Sequence, residues 1–239
     1  MPGIGSEELH KLIGQLQSVR NLAVDDKNAI VALYSTVDPK HDARITAFSK
    51  TINVFNSLQL GLAFISKHLL HKQWWSAIAT QDIPDIDKQI YVNEFANLTK
   101  IGFIQGIFSA VESSLRLLLR ALDPTACNGG LAEFKSVYEC LFKSNLTSSS
   151  PDAIALLDLL RLVRNTIHNN GVYFHPSGND VTAIWKGNTY AFKQGKPIDF
   201  VTWELLIVVS NALRLLLRQV VEDAKLQAIT TEIPDPFSY

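Results

Sequence analysis

Cysteine is almost missing from this chain: Cys127 and Cys140 are the two in 239 residues, thirteen positions apart. Two thiols cannot build a disulfide framework or a four-ligand zinc site, and their spacing is not that of a Cys-x-x-Cys motif. They are expected as reduced thiols in or near a core. Glycine and proline are sparse too, 12 and 9 residues, too few for a fibrous or disordered chain. Neither sign of charge is in excess, since 22 Lys+Arg stand against 23 Asp+Glu. That balance excludes coating nucleic acid through bulk positive charge, but it leaves room for a local basic cluster. No apolar run reaches the roughly 18 residues of a membrane span; the longest candidate, Leu205 to Leu217, is interrupted by Asn211 and Arg214. The N-terminus lacks the basic start and apolar stretch of a signal peptide. Asn97 and Asn145 each open an Asn-Leu-Thr sequon, which carries meaning only in a secreted chain. A soluble cytoplasmic protein with no membrane partner is the expectation.

What is present is helical periodicity. Ser6-Glu7-Glu8 opens a first helix, with Leu9, Leu12, Ile13, Leu16 and Val19 on one face and acids where the helix dipole favours them. A second, short helix is predicted from Asp25-Asp26 to just before Asp38-Pro39. Asp42 can cap a long helix reaching about Leu70, after which Trp74-Trp75 begins a less regular stretch. Gln81 to Asp85 is the clearest break, and it divides an N-terminal helical segment, 1–82, from a second unit, 83–239. A long helix then runs from Asp87 to Leu122, and a shorter one follows from about Leu131 to Phe142. Ser150-Pro151 has the form of a helix start and Asn170-Gly171 that of a left-handed helix stop. Val181–Trp185 and Thr189–Phe192 alternate as two strands joined by Lys186-Gly187-Asn188. A final helix is expected from near Asp199 to about Ala228, with a mobile tail from Glu232. The fold class is therefore all-α, a helical bundle with one small β-hairpin before the last helix.

Most catalytic motifs are missing: there is no phosphate-binding glycine loop, no Gly-x-Ser-x-Gly turn and no His-Glu-x-x-His. His68 and His71 sit three apart, with no carboxylate at ligand spacing beside them, and are read as surface or core histidines. Arg214 and Arg218 on the last helix are read as a solvated or interface stripe. One stretch stands apart, Arg161-Leu-Val-Arg164-Asn165-Thr-Ile-His168-Asn-Asn-Gly171. Arg161 and His168, seven apart, project within about 20° of each other on a helix, and Arg164 shares that face. Arginine holds phosphate through a forked pair of hydrogen bonds. Histidine can move a proton at a ribose 2′-hydroxyl or a leaving 5′-oxygen. These parts suffice for RNA cleavage without a metal. The same cluster can also simply cap helix carbonyls.

Arg-Asn-x-x-His-Asn-Asn-Gly at a helix end resembles the signature of HEPN domains, helical bundles found in toxins, RNA-processing nucleases and anti-phage systems. The family motif sets four to six residues between Arg and His. Arg161 has six before His168, whereas Arg164, followed by the favoured Asn165, has three. Phe108-Ser-Ala-Val-Glu112-Ser-Ser-Leu-Arg116 is similar to the upstream helix that contributes a polar residue in the family. The resemblance spans roughly 87–228. It implies an endoribonuclease of toxin or defence type, acting without metal or organic cofactor, as a homodimer with a shared cleft and with an antitoxin as a possible partner. The roles it implies are phosphate binding by Arg161 and Arg164, acid–base catalysis by His168, and orientation by Asn165 and Glu112. Arg116, Tyr173 and His175 are placed with the bound RNA. The alternative is a non-catalytic helical module that binds nucleotide or holds a dimer or a partner. On a purely structural reading of the same residues, Glu112 pairs with Arg116 as a surface salt bridge, and Tyr173 and Phe174 pack the hairpin with Val181, Ile184 and Trp185 onto the bundle.

Overall fold

Four helix starts are closed by their own preceding side chains. Asp42 accepts from the Arg44 amide, Ser150 from Ala153, Thr202 from Leu205 and Asp223 from Lys225, which satisfies amides that the helix itself leaves unpaired. In the computed structural model, which describes residues 6–79, 81–126 and 133–237, the helices are α1 (Ser6–Leu33), α2 (Ala43–Phe64), α3 (Lys72–Ile78), α4 (Asp85–Leu122), α5 (Phe134–Cys140), α6 (Pro151–His168), α7 (Trp203–Val221) and α8 (Ala224–Gln227). One-turn π-helical segments, Ile65–Leu69 and Leu141–Asn145, extend α2 and α5. The hairpin pairs β1 (Val181–Trp185) with β2 (Asn188–Phe192), antiparallel, with Trp185 opposite Asn188. The turn is thus two residues, Lys186 and Gly187, at φ 49° and 75°, the double positive φ that matches strand twist.

Helix α2 lies against both α1 and α4, α7 against α1, α2 and α6, and α6 against α4, α5 and β1. Phe103, Ile104, Ile107, Phe108, Val111, Leu115, Leu118 and Leu119 recur at helical spacing on the buried side of α4. One buried apolar cluster gathers residues of every long helix and the hairpin, from Leu9 of α1 to Ile233. Among the described helices, α4 is long and apolar enough to cross a membrane by length and composition, and half of that apolar window is buried in the bundle.

Several expectations are corrected. There is no helix start at Asp25-Asp26, because α1 continues to Leu33. Asp26 is instead buried, 3% exposed, and takes both Arg214 and Arg218 of α7. Of the expected solvated or interface stripe, the interface part holds: both arginines neutralise a buried carboxylate between α1 and α7, with Arg218 still 42% exposed. The stretch after His71 is a regular short helix, with the Trp75 indole donating to the Leu69 carbonyl at 2.8 Å. The last long helix begins at Trp203, not near Asp199, and it breaks at Glu222-Asp223, where Asp223 turns to hold Thr147 and to cap α8. Leu131, the expected start of the shorter helix, and Cys127 lie outside the described residues. Cys140 ends α5, and its sulfur accepts from the Asn145 side-chain amide at 3.3 Å.

The tail is docked rather than loose up to the described end. Arg44 and Asp42, both fully buried, pair at 2.6 Å. The remaining Arg44 donors reach the carbonyls of Leu226, Ile229 and Thr231, while Asp42 accepts from the Ile233 amide. Asp235, also buried, receives Thr46 at 2.5 Å and Lys50 at 2.6 Å. Burial works against the Asp235 carboxylate, but the bonds from Lys50, Thr46 and the Phe237 amide together outweigh it and hold the carboxyl below the ordinary carboxylate range.

Candidate functional site

Helix α6 is built to present one polar strip. Its buried set is Ala153, Leu156, Leu157, Leu159, Leu160, Leu162, Val163 and Thr166, which leaves Asp158, Arg161, Arg164, Asn165 and His168 on the remaining side. The helix stops at His168 because Asn170 and Gly171 take positive φ, 59° and 82°. The chain leaving it is fixed at once, by backbone bonds from Tyr173 to Lys196 at 2.9 Å and from Gly195 back to Tyr173 at 2.8 Å.

The two arginines of the strip have different surroundings. Arg161 donates through Nη2 to Asp158 Oδ1 at 3.1 Å, and the Tyr138 hydroxyl donates to the same oxygen at 2.5 Å. Burial works against the Arg161 charge, yet Tyr138 and Asp158 outweigh it and hold its pKa above the ordinary arginine value. Burial and the hydrogen bond to Asp158 push the Tyr138 phenol up. Arg161 borders a groove of about 520 Å³ between α5, α6 and β1, into which Lys135 and Lys143 also face.

Arg164 meets no carboxylate within ion-pair distance among the described residues. Its guanidinium lies 5.2 Å above the Phe108 ring and donates one bond, at 3.3 Å, to the side-chain oxygen of Asn165. The Nε atoms of both Arg161 and Arg164 are buried without a hydrogen-bond partner. Phe108, Phe134 and Tyr138 form an edge-to-face aromatic row with centroids 5.2 and 5.1 Å apart. This row links the Arg164 contact to the Tyr138–Asp158–Arg161 network. His168, the last residue of α6, is exposed, and no hydrogen bond or ion pair holds it among the described residues.

Other candidates fall elsewhere. Glu112 is held by Arg116 one turn on, at 2.6 and 3.1 Å, and not by the α6 cluster, so α4 meets this strip through the Phe108 ring. Tyr173 is buried, 1% exposed, packs 5.3 Å from Phe192, and offers no ring face to a base; burial raises its pKa. Of the set expected to pack the hairpin, Tyr173 and Trp185 are buried and Val181 lies against the core, whereas Phe174 and Ile184 point outward at 54% and 64% exposure and Ala183 faces in instead. His175 is half-buried, stacks near Tyr173 and bonds Ser177 at 2.6 Å. The His68 ring leans on Phe64, and His71 stands at the start of α3. Among the described residues no three His, Cys, Asp or Glu side chains are grouped to hold a metal.

Sequence reasoning missed Asp158 and Tyr138. Asp158 had a readable signal, since an acid three residues before an arginine on one helix is ion-pair spacing; Tyr138, on another helix, had none. Comparison of the chain with protein-family models, curated proteins and solved structures finds no match in any of the three.

Proposed function

We propose that the chain is a HEPN-like, metal-independent endoribonuclease with its reacting groups on the last two turns of α6. The observation that supports this is Arg164: a half-buried guanidinium with an unpartnered Nε and no carboxylate beside it. A charge held that way is expensive unless an anion completes it. Side chains four apart on a helix stand about 5–6 Å from each other, so a phosphate on Arg164 lies within reach of the exposed His168.

In this reading Arg164 binds the scissile phosphate and stabilises charge as it develops. Asn165 fixes the arginine through its side-chain oxygen. The ribose 2′-oxygen attacks phosphorus and loses its proton, the bond to the 5′-oxygen breaks, and that oxygen gains a proton. The products are a 2′,3′-cyclic phosphate and a 5′-hydroxyl. His168 is the group that takes or returns the proton. With two copies facing one cleft, one imidazole takes it and the other returns it. Arg161, already neutralised by Asp158, positions the helix face and contributes little net charge. The homodimer, the toxin or defence setting and an inhibitory partner rest on the family resemblance alone.

The test is incubation of purified protein with mixed RNA in EDTA. Fragments ending in cyclic phosphate are expected, and RNA that stays intact at equimolar protein would contradict the reading. A second reading, a non-catalytic module for nucleotide or partner binding, draws on the internal pairing of Arg161 with Asp158 and of Glu112 with Arg116.

A further inference from the structure

Helices α2 and α4 are in contact, yet part of their shared face is lined by small side chains. Gly106, Ser109, Ala110 and Ser113 repeat at three- and four-residue spacing along α4, opposite Ser49 and Asn53 of α2. A Cβ on Gly106 would stand 3.0 Å from a Val54 methyl, so this glycine allows the close approach there. Beside it a groove of about 630 Å³ opens, within the range of roughly 300–1,000 Å³ that takes small organic ligands. It shares no residue with the α6 strip.

The lining is positive. Lys27 of α1, Lys40 of the following loop and Lys50 of α2 face the groove, and no carboxylate lines it. Lys50 is neutralised by the buried Asp235 at 2.6 Å. Lys27 and Lys40 enter no ion pair among the described residues. Other polar groups of the lining, Ser49, Asn53 and Ser109 among them, are neutral and able to donate hydrogen bonds. Two uncompensated ammonium groups in one groove with neutral hydroxyls suit an anion rich in oxygen acceptors. At one wall the docked tail holds out Phe237, 66% exposed, with its ring 6.0 Å from the Lys50 ammonium. That ring gives the groove a flat apolar surface beside its charged one.

We infer that the α2–α4 groove binds an organic phosphate carrying a flat ring, with the phosphate on Lys27 and Lys40 and the ring against Phe237. The inference does not rest on RNA cleavage, and its test does not measure it. Calorimetric titration of the full chain at low salt uses three probes: AMP, glucose 6-phosphate and inorganic phosphate. AMP is expected to bind most tightly, and the Lys27→Gln/Lys40→Gln double variant to weaken it by about tenfold or more through loss of two charged hydrogen-bond donors. Both positions are at or near the surface, so the variant's circular dichroism melt should match wild type. Phe237→Ala is expected to erase the preference for AMP over glucose 6-phosphate. AMP binding no tighter than glucose 6-phosphate, or AMP affinity that survives the double lysine variant, overturns the inference.

Discussion

The His168→Ala variant is expected to cleave RNA in EDTA at least about a hundredfold more slowly than the wild-type chain, the usual cost of losing a positioned proton-transfer group. The same variant should be as stable as wild type. His168 is exposed at the end of α6, it contributes nothing to the buried set of that helix, and α6 is stopped by Asn170 and Gly171, not by the imidazole. Substitutions at such surface positions usually change stability by about 0.5 kcal/mol or less. Initial cleavage rates and a thermal melt of the same preparation separate the two effects. Cleavage that persists at the wild-type rate would assign the activity to a contaminating nuclease.

A second large effect is expected far from that site. Asp42→Asn should destabilise the fold by about 3–5 kcal/mol, the range for stranding one member of a buried ion pair. Arg44 and Asp42 are both fully buried, and the guanidinium also lies 4.1 Å from the Tyr34 ring. Burial pushes the Tyr34 phenol up against the pull of Arg44, so no phenolate is at hand to take over from the lost carboxylate. Against a typical total of about 5–15 kcal/mol, this is a large fraction. Because Asp42 also accepts from the Ile233 amide, the C-terminal segment should lose hydrogen-exchange protection in the variant. A urea midpoint unchanged from wild type would refute the structural role given to the pair.

The features legible in the sequence are those decided by neighbours along the chain. Ser150-Pro151 and Asn170-Gly171 each fix a local backbone geometry and stand where the pattern places them, while the expected Lys186-Gly187-Asn188 connection shortens to Lys186-Gly187 because Asn188 pairs with Trp185. The features that were not legible depend on partners nearly two hundred residues away. Asp25-Asp26 has the composition of a helix start, but α1 runs through it because Arg214 and Arg218 neutralise Asp26. The proline-containing tail has the composition of a mobile end, and it docks because Arg44, Asp42 and Lys50 wait for it on α2.

The candidate site divides in the same way. That Arg161, Arg164 and His168 share one side of α6 follows from spacing alone. How their charges are met does not, because Tyr138 and Phe108 come from α5 and α4. The two arginines, alike in sequence, therefore differ: one is neutralised within the fold and the other rests on an aromatic ring.

That difference makes Arg164→Gln the most direct test of the proposed site, with unfolding and RNA cleavage measured on one preparation. A guanidinium kept for structure should take stability with it when removed, whereas one kept for a phosphate should take activity. Unfolding free energy within about 1 kcal/mol of wild type, the loss of a cation–π contact at most, is expected together with cleavage in EDTA slowed by about a hundredfold or more. A variant that unfolds several kcal/mol more easily yet cleaves RNA at the wild-type rate would contradict the assignment of Arg164 as the phosphate-binding residue.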